Sequence, residues 1–256
     1  MSLSLWLAAP LIGLVLSLFA AGGGMIAVPL LSFGMGMPLK QAIATSLIIV
    51  ACVSLVALLQ KKRWQLIEWR LHRFFAIGGM LGGFLGASIG LHMADKIQAI
   101  IFAVLVLMVV WSMNSGLMQK ISANAKTTPC DCRYSMLAGL ATGLITGLLG
   151  IGGGFLIVPL LLMLGVANYQ SVIAHSLALI ISSSLVAALR YAENLDIAWQ
   201  PTLLIVALAA VGAWLGSQIA GKYSSGRLQK AFSLVLTIMA GWMLFREFSW
   251  VLDIGN

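Results

Sequence analysis

Charge is what this chain has least of. Asp, Glu, Lys and Arg make up 9% of its 256 residues, whereas a soluble domain carries roughly a quarter charged residues to keep its surface wet. A soluble globular fold is excluded on that ground. Only seven residues are acidic, and none of Asp, Glu, Lys or Arg lies deep in an apolar stretch, so the interior offers no carboxylate pair for acid–base chemistry. Cysteine is also scarce. Cys52 lies in an apolar run, while Cys130 and Cys132 share one polar loop, so no disulfide framework is implied, and two thiols fall short of the four ligands a structural zinc site takes. His72, His92 and His175 are the three histidines, too few and too dispersed for a metal or haem constellation. No Gly-x-x-x-x-Gly-Lys-Ser/Thr loop occurs, so the chain carries no nucleotide-driven motor of its own. These absences lead us to expect no cofactor, no metal and no enzymatic activity, an intramembrane enzyme being the weakest of three functional readings.

Apolar residues take up the space instead, at 61% of the chain. They fall in eight blocks, 3–37, 42–59, 74–91, 97–118, 134–166, 172–189, 202–220 and 228–245. A helix crosses a hydrocarbon core about 30 Å thick with about 20 apolar residues, so the expected fold is an all-α polytopic membrane protein with the lipid bilayer as its solvent. The net charge of +8 would suggest nucleic acid in a soluble protein. Here the basic residues sit in short loops, where Lys and Arg mark the cytoplasmic side, so the charge sets orientation and no nucleic-acid partner is expected. The expected location is a bacterial-type inner membrane. The opening stretch, 3–21, lacks a basic n-region and has a counterpart later in the chain, so we read it as structural and not as a cleaved signal.

That counterpart belongs to an internal repeat. Gly22-Gly23-Gly24-Met25-Ile26-Ala27-Val28-Pro29-Leu30-Leu31 recurs 130 positions later as Gly152-Gly153-Gly154-Phe155-Leu156-Ile157-Val158-Pro159-Leu160-Leu161. The same offset aligns Ile43-Ala44-Thr45-Ser46-Leu47 with Ile173-Ala174-His175-Ser176-Leu177, and Ser54-Leu55-Val56-Ala57 with Ser184-Leu185-Val186-Ala187. From Gly22 to Leu59, 16 of 38 positions are identical, more than shared apolar composition yields. The reading is two homologous repeats of four hydrophobic helical segments, 1–118 and 134–250, joined by a polar linker at 119–133. Gly78, Gly79, Gly82, Gly83, Gly86 and Gly90 form a small-residue stripe, expected to let helix backbones pack closely in lipid.

A glycine run followed by Val-Pro-Leu-Leu, then Ala-Thr-Ser-Leu or Ala-His-Ser-Leu on the next helix, given twice, resembles the TauE/SafE family of sulfite exporters and related anion permeases. The resemblance covers nearly the whole chain. It implies a transporter built from two four-helix units, with sulfite, thiosulfate, sulfoacetate or another small organosulfur anion as cargo. His175 is outside the matching pattern, because the first repeat has Thr45 there.

The residues themselves suggest how an anion would be held. Each glycine costs roughly 1 kcal/mol relative to alanine inside a helix, so the first segment of each repeat is expected to break at its Gly-Gly-Gly run. A break leaves N–H groups without partners at the start of the second piece, and hydrocarbon supplies none. Gly22, Gly23 and Gly24, with Gly152, Gly153 and Gly154, would therefore present donors and the positive end of a half-helix to a small anionic substrate. The competing reading is that each run is a turn or a tight helix crossing. Thr45, Ser46 and Ser176 lie in the first turns of the following helix and could add hydroxyl donors. His175, ionisable inside an apolar block, is either a proton carrier or substrate contact, or a neutral side chain satisfied by a neighbouring hydroxyl.

Each glycine-containing block is longer than one span requires. As a broken span it gives eight crossings, with ten basic residues on one side and five on the other. As a re-entrant hairpin with the glycines at its tip it gives six, and the split becomes eleven to four, the larger bias. Odd crossings per repeat would invert one half against the other and let the two tips meet near the midplane. The functional expectation is a secondary transporter working by alternating access, with protons or the membrane potential as coupling source. An anion channel is the alternative, and a homo-oligomer is compatible with either.

Overall fold

The computed structural model describes residues 9–10, 13–14, 24–60, 63–115, 132–163, 169–195, 199–220 and 233–242. Among them the chain is helical. It runs α1 (Gly24–Pro29), a π-helical turn (Leu30–Gly34), α2 (Leu39–Gln60), a 3-10 turn (Arg63–Leu66), α3 (Trp69–His92), α4 (Asp95–Asn114), α5 (Cys132–Leu149), α6 (Gly154–Met163), α7 (Tyr169–Ala192) and α8 (Trp199–Ala220), followed by a short apolar helix, α9 (Ser233–Trp242). Four stretches, Leu39–Gln60, His72–His92, Asp95–Ser112 and Gln170–Ala192, are long and apolar enough to cross a membrane. The π turn follows Pro29 directly, where a missing N–H and the ring disturb the regular ladder.

The side chains are sorted for lipid. Leu59, Met108, Leu137, Leu189, Leu203 and Ile238 are each more than half exposed, which in water would form an aggregating surface and here covers the bundle's outer wall. Trp64, Trp69, Trp111 and Trp199 are exposed close to helix ends, the level at which amphipathic rings meet headgroups.

Two packing relations set the architecture. First, α3 and α5 run parallel in close contact, built by the glycine stripe. A methyl group on Gly78, Gly82 or Gly86 would collide with the carbonyl oxygens of Met136, Leu140 and Leu144 in turn, and one on Gly139, Gly143 or Gly147 with those of Phe75, Gly79 and Gly83. Small residues on both helices thus let the two backbones touch, which is how helices adhere where lipid removes the hydrophobic drive. The corresponding pairs 130 positions away recur with the halves exchanged: Gly212 abuts the Pro10 carbonyl and Gly13 the Ala209 carbonyl.

Second, α2 and α7 run antiparallel. Leu58, near the end of α2, packs on Ala174 and Leu177 near the start of α7, while Ala44 and Leu47 share a core with Ala187 and Ala188. These two helices occupy equivalent places in the sequence repeat and point opposite ways.

The second glycine run reverses the chain. α5 stops at Leu149; Gly150, Gly152 and Gly153 have φ of +72°, +77° and +61°, the left-handed region that side chains disfavour. Gly153 lies beside the Thr146 hydroxyl and the Thr142 carbonyl, so the chain has doubled back along α5. α5 therefore ends at the glycine run, where the chain turns before α6 begins.

Candidate functional site

The tip of this turn is pinned from the opposite repeat. The Ser46 hydroxyl, on α2, donates to the Gly150 carbonyl at 2.7 Å and to Ile43 in its own helix at 3.2 Å. A turn further on, Val50 Cγ1 lies 2.5 Å from where a Gly152 methyl would sit. From α4, the buried Gln98 amide donates to the Leu148 carbonyl, one of the last carbonyls of α5 that lack an internal donor. It also donates to the Tyr191 hydroxyl on α7 at 3.3 Å. The Gly150 N–H closes the last turn on Thr146 at 2.8 Å.

At the start of α6, Gly153 takes the capping position. Its carbonyl accepts from the N–H groups of Leu156 and Ile157, both at 3.0 Å. Ser, Thr, Asp or Asn would turn a side-chain oxygen onto the first-turn donors at this place, but glycine has none. Among the described residues nothing accepts from the Gly154 or Phe155 N–H. Gly152, Gly153 and Gly154 are all buried, so among the described residues this is an uncapped helix start, with its positive dipole end, inside an apolar bundle. Unpaired donors there cost of order a few kcal/mol unless a ligand or water takes them.

The first glycine run comes to the same place. Gly24 opens α1, and a methyl group on it would collide with the Ile151 carbonyl, so the two glycine segments touch. Gly22 and Gly23 lie outside the described residues.

The remaining candidates are distributed more widely. Thr45 and Ser176 are buried on α2 and α7. Ser46 holds the tip of the other repeat and is therefore a positioning group in this arrangement. His175 sits elsewhere: fully buried, its Nε2 accepts the Glu68 N–H at 3.0 Å, and its ring lies 5.8 Å from that of His72, under the loop joining α2 to α3. Its recorded partners are thus the loop and another imidazole, not the glycine tip. The sequence reading missed Thr142 and Thr146, which border Gly153. Their four-residue spacing inside an apolar helix was the available signal, but their hydroxyls bond to carbonyls in their own helix, Thr146 to Thr142 at 2.8 Å and Thr142 to Ala138 at 2.9 Å. Among the described residues no group of three or more His, Cys, Asp or Glu side chains gathers to hold a metal.

Comparison with known proteins places this multi-pass helical bundle in a class, the membrane transporters. The sulfite exporter TauE/SafE family model matches residues 5–243. The chain is 30% identical over 243 residues to a probable membrane transporter protein of Xylella fastidiosa, covering 93% of each. It is 27% identical over 253 residues to a probable membrane transporter protein of Methanocaldococcus jannaschii, covering 91% of this chain and 92% of that one. A sulfite exporter TauE/SafE family protein 3 of Arabidopsis thaliana is 32% identical over 108 residues, 42% of this chain and 22% of the relative. The chain belongs to the TauE/SafE family.

Proposed function

We propose that this protein is a secondary transporter of a small sulfur oxyanion or organosulfonate, of the sulfite, thiosulfate or sulfoacetate type, in the cell membrane. The observation that carries the reading is the start of α6 at Gly153–Gly154, buried, without an acceptor for its first N–H groups among the described residues, and preceded by Ile151, whose carbonyl lies against Gly24 of the other repeat. Backbone donors bind the three oxygens of a sulfite or sulfonate head without a buried countercharge, so the anion is held firmly enough to enter and loosely enough to leave.

The antiparallel α2 and α7, and the contacts that recur at the 130-residue offset, support two inverted repeats whose hairpins enter from opposite faces. Rocking one half against the other would expose the shared tip region to each side in turn. Sulfite is the first anion to test, because the family description names it. A thermal-shift screen of sulfite, thiosulfate, sulfoacetate, taurine and sulfate on the purified protein identifies the cargo, since a ligand that binds only the folded state raises the melting temperature. Saturable counterflow exchange of that anion in proteoliposomes then separates a carrier from a channel. A protein stabilised by none of the five contradicts the proposal.

A further inference from the structure

Three serines stand in a row on α7, and their hydroxyls differ. Ser182 donates to the Leu179 carbonyl at 3.0 Å and Ser183 to the same carbonyl at 2.8 Å, the local bonding by which a serine in an apolar helix satisfies itself. Ser184 is fully buried, and its hydroxyl has no hydrogen-bond partner.

Its depth follows from a chain of contacts. The Ser183 carbonyl lies 2.8 Å from where a Gly83 methyl would sit. Gly83 and Gly79 lie against Gly147 and Gly143 of α5, and the same part of α5, at Thr142 and Thr146, runs beside Gly153. Ser184 is therefore level with the second glycine run. Its direction follows from helical geometry: at about 100° per residue, Ser184 turns away from α3, which Ser183 faces, and shares a side of α7 with Ile180 and Ala188. Ile180 lies in one core cluster with Val50 and Val53 of α2, and Val50 is the residue against Gly152. The free hydroxyl thus stands at the level of the uncapped α6 start, on the side where α2 meets the glycine tip.

We propose that Ser184 is a further ligand of the transported oxyanion, donating its hydroxyl from α7 to an oxygen that the backbone donors of Gly154 and Phe155 leave unbound. This rests on the anion site proposed above. A hydroxyl with two acceptor lone pairs and one rotatable donor can serve a sulfur oxyanion and then release it.

The test is equilibrium binding of radiolabelled sulfite to the purified full chain, comparing Ser182→Ala, Ser183→Ala, Ser184→Ala and Gly153→Val. Removing a donor to a charged group is expected to raise Kd roughly 10-fold or more for Ser184→Ala. Its melting temperature without sulfite should stay at the wild-type value, because no protein–protein bond is lost, and the sulfite-induced rise in melting temperature should shrink. Ser182→Ala and Ser183→Ala should leave Kd within about twofold, since their hydroxyls serve their own helix. Wild-type Kd in Ser184→Ala, with binding lost in Gly153→Val, would overturn the role of Ser184 and leave the glycine site standing. A wild-type protein that does not bind sulfite would contradict the site reading and this ligand with it. Should Ser184→Ala not fold, the near-isosteric Ser184→Cys decides: its weak thiol donor predicts a raised Kd, and an unchanged Kd refutes the assignment.

Discussion

Replacing Gly153 with valine should abolish transport while leaving the protein inserted and folded. Two costs fall on that position. The residue has φ +61°, and a left-handed conformation costs an L-residue about 1–2 kcal/mol, more for a β-branched one. The new side chain also meets the Thr146 hydroxyl at a separation atoms do not adopt, and forcing extra methyl groups into packed space costs about 1–3 kcal/mol. Together these come to about 2–5 kcal/mol. The chain relieves that strain by shifting the tip, which displaces the Gly154 and Phe155 N–H groups from the positions that bind the anion. If only the lower bound falls on the bound state, affinity drops about 30-fold. The assay is uptake of labelled sulfite into proteoliposomes, with the amount of reconstituted protein matched by gel. Ala at Gly153 carries the φ cost and one methyl contact but no branch, so it should lie between glycine and valine. Combining Gly153→Ala with Thr146→Ala removes the contact, not the φ cost, and should restore part of the flux. Uptake by Gly153→Val at the wild-type KM and maximal rate would refute the reasoning, because the tip would then be irrelevant to the passage of the anion.

Other outcomes follow from single contacts. Ser46→Ala removes the bond to Gly150, worth about 1 kcal/mol; melting should fall by a few degrees, and KM for the anion should rise as the tip loosens. Gln98→Leu strips the Leu148 carbonyl of its donor, a buried loss of about 1–3 kcal/mol, and should lower the melting temperature more than Ser46→Ala does. His175→Ala removes the acceptor of the Glu68 N–H; faster hydrogen exchange at Glu68 and the neighbouring loop, with sulfite affinity within about twofold, is expected. If the proposed six-crossing topology holds, single cysteines placed at positions 2 and 255 should react with a membrane-impermeant reagent from outside intact cells, on the side opposite the basic loop at 61–73; labelling only after permeabilisation would support eight crossings.

Much of this is legible in the sequence. The Gly-Gly-Gly run before Val-Pro-Leu-Leu marks a helix that cannot continue, and Gly150, Gly152 and Gly153 do adopt conformations no helix contains. The stripe from Gly78 to Gly90 foretold close packing, and its partners proved to be Gly139, Gly143 and Gly147. Whether the chain passes through the break or turns back was not legible. A left-handed glycine serves either path, and only the contact of Gly153 with Thr142 and Thr146 fixes the reversal. Ser46 looked like a substrate ligand because its neighbours in sequence could not show that its donor is taken by Gly150. Ser182, Ser183 and Ser184 look alike in sequence, because a hydroxyl's choice between its own helix and the space beside it depends on rotamer and packing. His175 is conspicuous as the ionisable group inside an apolar block, yet which loop covers it is set by the antiparallel pairing of α2 and α7, a relation far apart in sequence.

The central claim is that backbone donors at the glycine tip hold the anion. Selenite has the shape and charge of sulfite and carries an anomalous scatterer, so diffraction at the selenium edge from crystals grown with it locates the ion directly. The account predicts an anomalous peak within hydrogen-bonding distance of the Gly154 and Phe155 nitrogens, facing Gly24. A peak confined to the basic loop at 61–73, or a tip whose first-turn donors are filled by protein carbonyls in the selenite-soaked crystal, would contradict it.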